Sequence, residues 1–159
     1  MNVSSVPRLL LLGTGGTIAG TAPESTQLNR YVAGVIDAEG LLDALPELAS
    51  LAEIQVEQIA NVDSADLRFS HWRSLVERIR QSLAADPGLA GVVITHGTNT
   101  LEETAWLLHL LIDDHRPVVL VGAMRPASAL SADGPLNLYQ AVQVAVSAEA
   151  RGRGVLVVM

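Results

Sequence analysis

The chain has 159 residues, a length that suits one domain and can bury about two-thirds of the surface exposed in the unfolded state. It is 49% hydrophobic and 17% charged with a formal net charge of -7, which excludes disorder and argues against a nucleic-acid or anionic-membrane surface. All ten basic residues are arginine and there is no cysteine, so Walker, Schiff-base and general-base lysines, disulfides, thiolate nucleophiles and cysteine-held metals are excluded.

Leu9–Leu12 is an apolar run too short for a signal-peptide core, and no segment approaches the roughly 18 apolar residues of a membrane span. It reads as a buried strand entering the glycine turn Gly13-Thr14-Gly15-Gly16-Thr17. A chain starting at Met1 in this way is expected in the cytoplasm. Residues 21–36 lack periodicity and read as a long loop of the kind that forms lids. Little burial offsets its ordering entropy, so mobility is expected around residues 23–30.

Ala38–Leu45 reads as a short helix stopped by Pro46. Glu53–Ala60 alternates, with Ile54, Val56 and Gln58 on one face of a strand. Asp66–Ala85 has helical spacing at Leu67, Leu75, Ile79 and Leu83. Gly91–Thr95 is an apolar strand. A helix follows, with Thr100 and Glu103 at capping-box spacing and Leu101, Ala105, Leu108 and Ile112 on one face. Pro117–Val121 reads as a buried strand, Pro135–Ser147 as a helix with proline in its first turn, and Val155–Met159 as a final strand. Strands alternating with helices predict an α/β fold. Its three layers are a mostly parallel sheet flanked by helices, flavodoxin- or Rossmann-like.

Ligands of such sheets bind beyond the carboxyl ends of the strands. The residues expected there are Thr14-Gly15-Gly16-Thr17, Asn61-Val62-Asp63-Ser64, Thr95-His96-Gly97-Thr98-Asn99 and Gly122-Ala123-Met124-Arg125. The first three of these ends offer hydroxyls, and two of those three offer glycines, a combination that favours a small polar ligand. Gly13-Thr14-Gly15 begins a dinucleotide fingerprint, but the third glycine position falls on Ile18. A threonine nucleophile, activated by a nearby base and oxyanion donors, is the other chemical reading; Thr14 and Thr17 as plain turn residues is the alternative.

His71, His96, His109 and His115 show no metal-binding spacing, and no metal is expected. His109 sits among leucines and reads as structural; His96 either orients a neighbour or closes a loop hydrogen bond. Met124 reads as packing, and Arg125 as a partner for a ligand carboxylate or a structural ion pair.

Leu12-Gly13-Thr14-Gly15-Gly16-Thr17-Ile18-Ala19-Gly20 resembles the first signature of the bacterial-type L-asparaginases, the asparaginase/glutaminase family. Ile94-Thr95-His96-Gly97-Thr98-Asn99-Thr100-Leu101-Glu102-Glu103-Thr104-Ala105 resembles the second. Val121–Pro126 and Ser131–Leu138 resemble further blocks, so the likeness runs from about residue 8 to the end. The resemblance implies hydrolysis of the side-chain amide of L-asparagine, and in some members L-glutamine, to the acid and ammonia, without a cofactor. Thr17 then matches the nucleophile, Tyr31 the tyrosine that helps activate it and Thr98 the second catalytic threonine. Ser64 matches the serine that holds the substrate α-carboxylate, with Asp63 beside it in the substrate-binding set. Ala123 falls in the block near the scissile amide, where backbone N–H groups hold the oxyanion.

Two departures stand out. The family's aspartate after the second threonine, which pairs with the substrate α-ammonium, is Asn99 here, and a neutral acceptor binds a cation more weakly. The family's catalytic lysine lies beyond the block ending in Val157-Val158-Met159, and this chain has no lysine. Residues 1–159 are therefore expected to form the N-terminal domain without the family's smaller C-terminal domain, which completes the site from a neighbouring subunit. On this reading the protein is a homo-oligomer by family, and the chain alone is incomplete, inactive and prone to self-association. The competing reading is a catalytically silent domain or a small amino-acid-binding module.

Overall fold

Leu9, Leu10, Leu11 and Leu12 are all buried, and successive side chains of a strand point to opposite faces. A run of four leucines therefore requires cover on both sides. The structure, a computed structural model, describes residues 6–159 and provides it. Strands β1 (Arg8–Gly15), β2 (Glu53–Val62), β3 (Leu89–Thr95), β4 (Val118–Val121) and β5 (Val155–Val158) form one sheet in the order β2-β1-β3-β4-β5. Every pairing is parallel.

Helices α1 (Ala38–Asp43) and α4 (Gly134–Val146) cover one face, and α2 (Phe69–Ala85) and α3 (Leu101–Leu111) the other. Leu9 and Leu11 join Leu41, Leu138 and Val142 in the first core; Leu10 and Leu12 join Leu75, Ile79 and Leu108 in the second. Each such side chain contributes roughly 1.5–3 kcal/mol on burial. Burial on both faces accounts for the high mean hydropathy of +0.34.

The α/β class expected from the sequence is the observed one, and the sheet is wholly parallel. Three local expectations change. The long helix begins at Phe69 rather than Asp66, because the Asp63 carboxylate accepts the Ala65 N–H (2.9 Å) and turns residues Ser64–Asp66 into a separate 3-10 turn. Pro46 does not only end a helix: α1 stops at Asp43, and the proline opens a 3-10 turn, Pro46–Ser50, where its missing N–H costs nothing. The capping box at Thr100 and Glu103 does not form; the Thr100 hydroxyl donates instead to the Ser64 carbonyl (2.9 Å). There a tertiary partner wins over a local cap.

The chain steps outward from β1 to β2, then returns to place β3 on the other side of β1. This order, also that of flavodoxin, opens a crevice between the carboxyl ends of β1 and β3, where ligands of such sheets bind. No helix among the described residues is long and apolar enough to cross a membrane.

Candidate active site

Three loops meet at this crevice, and glycines let them touch. Gly16 has φ +84°, a region L side chains avoid, and its N–H donates to the Val62 carbonyl (2.9 Å). A Cβ on Gly16 would lie 2.3 Å from the Gly97 backbone, and one on Gly97 would lie 2.7 Å from Ser64 Oγ. The ends of β1, β2 and β3 are thus in direct contact.

The two threonines of the first loop have different fates. Thr14 is buried and its hydroxyl donates to the Thr95 carbonyl (2.7 Å), joining β1 to β3. Thr17 opens the 3-10 turn Thr17–Ala19, and its Oγ1 lies 2.7 Å from Tyr31 Oη, with either oxygen able to donate. Tyr31 reaches back because Thr21 and Val32 pair in an antiparallel bridge, with N–H···O distances of 3.0 and 2.9 Å. Gly20 makes room for it, since a Cβ there would come within 2.9 Å of the tyrosine ring. The base of this loop is also fixed by the N–H groups of Val35 and Ile36 on the Ala19 carbonyl, and its Ser25 carbonyl accepts the Leu130 N–H (3.0 Å). Most of its tip, residues 23–30, is exposed.

The second group joins the β2 and β3 loops. Ser64 is buried; its Oγ accepts the N–H of Asn99 (3.1 Å) and of Thr100 (3.3 Å), which leaves its own proton to give. Asn99 Nδ2 donates to Asp63 Oδ1 (2.8 Å). Thr98 is half-buried, its methyl beside Gly122 at the end of β4, and it makes no hydrogen bond to Thr17 among the described residues. Ala123 is fully buried in the core with Ile18. The Asp133 carboxylate accepts the next two amides, Met124 N–H (2.8 Å) and Arg125 N–H (2.9 Å). Met124 is 68% exposed, so packing within this chain does not explain it. The Arg125 guanidinium donates to the Ser131 carbonyl (3.2 Å) rather than to a carboxylate.

Beneath the crevice runs a chain that spacing alone could not show. Trp72 Nε1 can only donate, and it donates to Thr104 Oγ1 (2.8 Å). The Thr104 proton then goes to His96 Nε2 (2.8 Å), so Nδ1 carries the ring proton toward the Gly97 carbonyl (2.6 Å). His96 is fully buried, and burial pushes its pKa below the usual 6.5. It stays neutral and holds the turn that precedes Thr98. Among the described residues, the buried side-chain atoms without a hydrogen-bond partner are Asn61 Oδ1 and Thr95 Oγ1, both near the carboxyl ends of strands. No group of three or more His, Asp or Glu residues placed to hold a metal occurs among the described residues.

Fold and crevice together define an α/β domain that presents a threonine hydroxyl, paired with a phenol, at its topological switch point. The family model "Asparaginase, N-terminal" matches residues 8–159. The chain belongs to the asparaginase family. It is 48% identical over 154 residues to L-asparaginase 2 of Bacillus subtilis (strain 168), covering 97% of this chain and 41% of that protein. It is 45% identical over 151 residues to the glutaminase-asparaginase of Acinetobacter glutaminasificans, covering 95% of this chain and 45% of that protein. The crystal structure of a probable cytoplasmic L-asparaginase from Campylobacter jejuni superposes with a TM-score of 0.93 at 50% identity, covering 96% of this chain and 46% of that one. The chain thus spans less than half the length of these relatives.

Proposed function

We propose that these residues form the nucleophile-bearing part of an amidohydrolase acting on L-asparagine. The observation that carries this reading is the 2.7 Å hydrogen bond between Thr17 and Tyr31 at the switch point. As Thr17 Oγ1 attacks the side-chain amide carbon, its proton passes to Tyr31 Oη while the phenol hands its own proton toward the amide nitrogen, and the developing oxyanion is met by backbone N–H groups near Ala123. Proton return to the nitrogen releases ammonia and leaves an aspartyl ester on Thr17. Water then cleaves the ester to L-aspartate and regenerates the threonine. Ser64 donates its free hydroxyl proton to the substrate α-carboxylate, while Thr98 serves as the second threonine and Asn99 faces the α-ammonium. The reaction needs no cofactor. The names of relatives support asparagine as substrate, with glutamine as a second one, and the Campylobacter name supports a cytoplasmic setting.

The 159 residues hold no lysine, so the lysine that the family places with the second threonine has no counterpart among them. Arginine cannot replace it as a base at neutral pH. Positioned acid-base help is worth roughly 10²–10⁴-fold, so the chain by itself is expected to release negligible ammonia. Mixing it with the C-terminal portion of the Bacillus relative is expected to produce ammonia from L-asparagine, and Thr17→Ala to abolish it. Turnover by the chain alone near 1 per second would defeat the incompleteness; loss-free activity of Thr17→Ala in the mixture would defeat the nucleophile. Asn99 favours a second reading, a silent amino-acid-binding domain, which binds asparagine and yields no ammonia in either setting. Self-association belongs to the first reading: Phe69 (74% exposed), Trp106 and Leu110 leave apolar surface on the α2 and α3 side. Light scattering showing only monomer at high concentration would remove it.

A further inference from the structure

We propose that Asp63 supplies the negative charge that position 99 lacks, so that Asp63 and Asn99 together bind the α-ammonium of an amino-acid substrate. This rests on the asparagine reading above. The contact that carries it is the 2.8 Å hydrogen bond from Asn99 Nδ2 to Asp63 Oδ1. An ionised carboxylate only accepts, so the amide nitrogen must be the donor, and Asn99 Oδ1 is left as an acceptor. The Ala65 N–H (2.9 Å) binds the same Asp63 oxygen. Two donors fix Oδ1, while Oδ2 makes no hydrogen bond among the described residues.

The pair is firmly seated. Asp63 precedes Ser64, whose hydroxyl holds the Asn99 N–H, so a main-chain and a side-chain bond join the same two loops. Among the described residues no arginine or histidine forms an ion pair with Asp63. By contrast, the Asp133 carboxylate past the end of β4 has both oxygens occupied by the Met124 and Arg125 amides. A free amino acid brings an ammonium, and a carboxylate with one oxygen left over, bonded to an amide that keeps its own acceptor, matches it. Asparagine at position 99 then does not leave the site neutral. It moves the charge one contact away and holds it there.

The test is an NMR titration of the purified chain with L-asparagine and with succinamate, the same amide without the α-amino group. The wild type binds L-asparagine more tightly than succinamate. Asp63→Asn keeps the cap acceptor for Ala65, drops the charge and is expected to lose about tenfold or more in asparagine affinity with succinamate unchanged. Asp63→Asn combined with Asn99→Asp returns the charge to position 99 and restores the preference. An Asp63→Asn chain that still prefers asparagine as strongly as the wild type overturns the inference and leaves the asparagine reading standing. Lost preference without recovery in the double variant, with wild-type-like spectra, also overturns it. A wild type that binds neither ligand overturns both.

Discussion

At the edge where β4 begins, Arg116 is almost completely enclosed and every part of its guanidinium is engaged. Nε and Nη2 meet the two oxygens of Asp114 (2.9 and 2.7 Å), Nη1 meets the Asp86 carbonyl (2.9 Å), and Nη2 also meets the Leu83 carbonyl (2.6 Å). At the opposite edge, where β1, β2 and β3 finish, the polar groups are only partly used. Among the described residues, Ser64 keeps a proton, Asp63 an oxygen, and Asn61 and Thr95 hold buried oxygens without partners. Both edges are rich in polar atoms; what differs is saturation. A saturated cluster ties helix ends to a strand, whereas an unsaturated one has capacity left for a ligand.

The sharpest way to break this contrast is Arg116→Met. Removing one partner of an enclosed ion pair strands the other, and a loss of about 3 kcal/mol is expected in urea unfolding, with asparagine binding unchanged. A large change in binding would show that the two edges are not separable. Next is Gly16→Ala at the other edge, where the φ of +84° and the 2.3 Å approach to Gly97 forbid a side chain without movement. About 2 kcal/mol of destabilisation is expected, together with loss of binding in the same titration.

Acid separates the edges a third way. The Arg116 guanidinium holds the Asp114 carboxyl down from 3.8 to about 2. Its stabilisation, about 2 kcal/mol, is present above pH 3.8 and is lost as pH falls through about 2. His96 behaves differently: its folded pKa lies below 6.5, so the unfolded chain binds its proton first and stability begins to fall as pH drops below about 6.5. Arg116→Met should erase the lower window in pH-dependent unfolding and leave the upper one. The smallest effects on stability are expected at Thr17→Val and Tyr31→Phe, about 1 kcal/mol each from the lost hydrogen bond. Yet in the complemented mixture both should cost most of the ammonia release, because little of what Thr17 and Tyr31 do serves the fold.

The fold was legible because its signals are local and repeated: Leu9–Leu12, Gly91–Thr95 and Pro117–Val121 cannot be half-wet strands, and proline and glycine mark most turns between them. The candidate site is read mainly from the motif blocks. Periodicity could not separate Thr14 from Thr17, since both flank the same glycines; in the structure one hydroxyl makes a strand-to-strand bond and the other meets a loop tyrosine. The Asp63–Asn99 bond joins residues 36 positions apart, and Trp72 meets Thr104 across 32. Such pairs carry no sequence signature without a known register. Thr100 shows the opposite failure, a correct local signal overridden by a partner in another loop.

One consequence of the chain from Trp72 through Thr104 to His96 is optical. The protein has two tryptophans; Trp106 is 63% exposed and stacked on His109, with ring centroids 5.5 Å apart. Trp72 is half-buried, with its indole N–H fixed to the threonine that bonds the histidine under the Gly97-Thr98 turn. In a Trp106→Phe background a single tryptophan remains, wired by two hydrogen bonds to the residue that holds Gly97. Its emission maximum then reports, without any added label, whether the floor of the crevice is intact and when His96 takes up a proton.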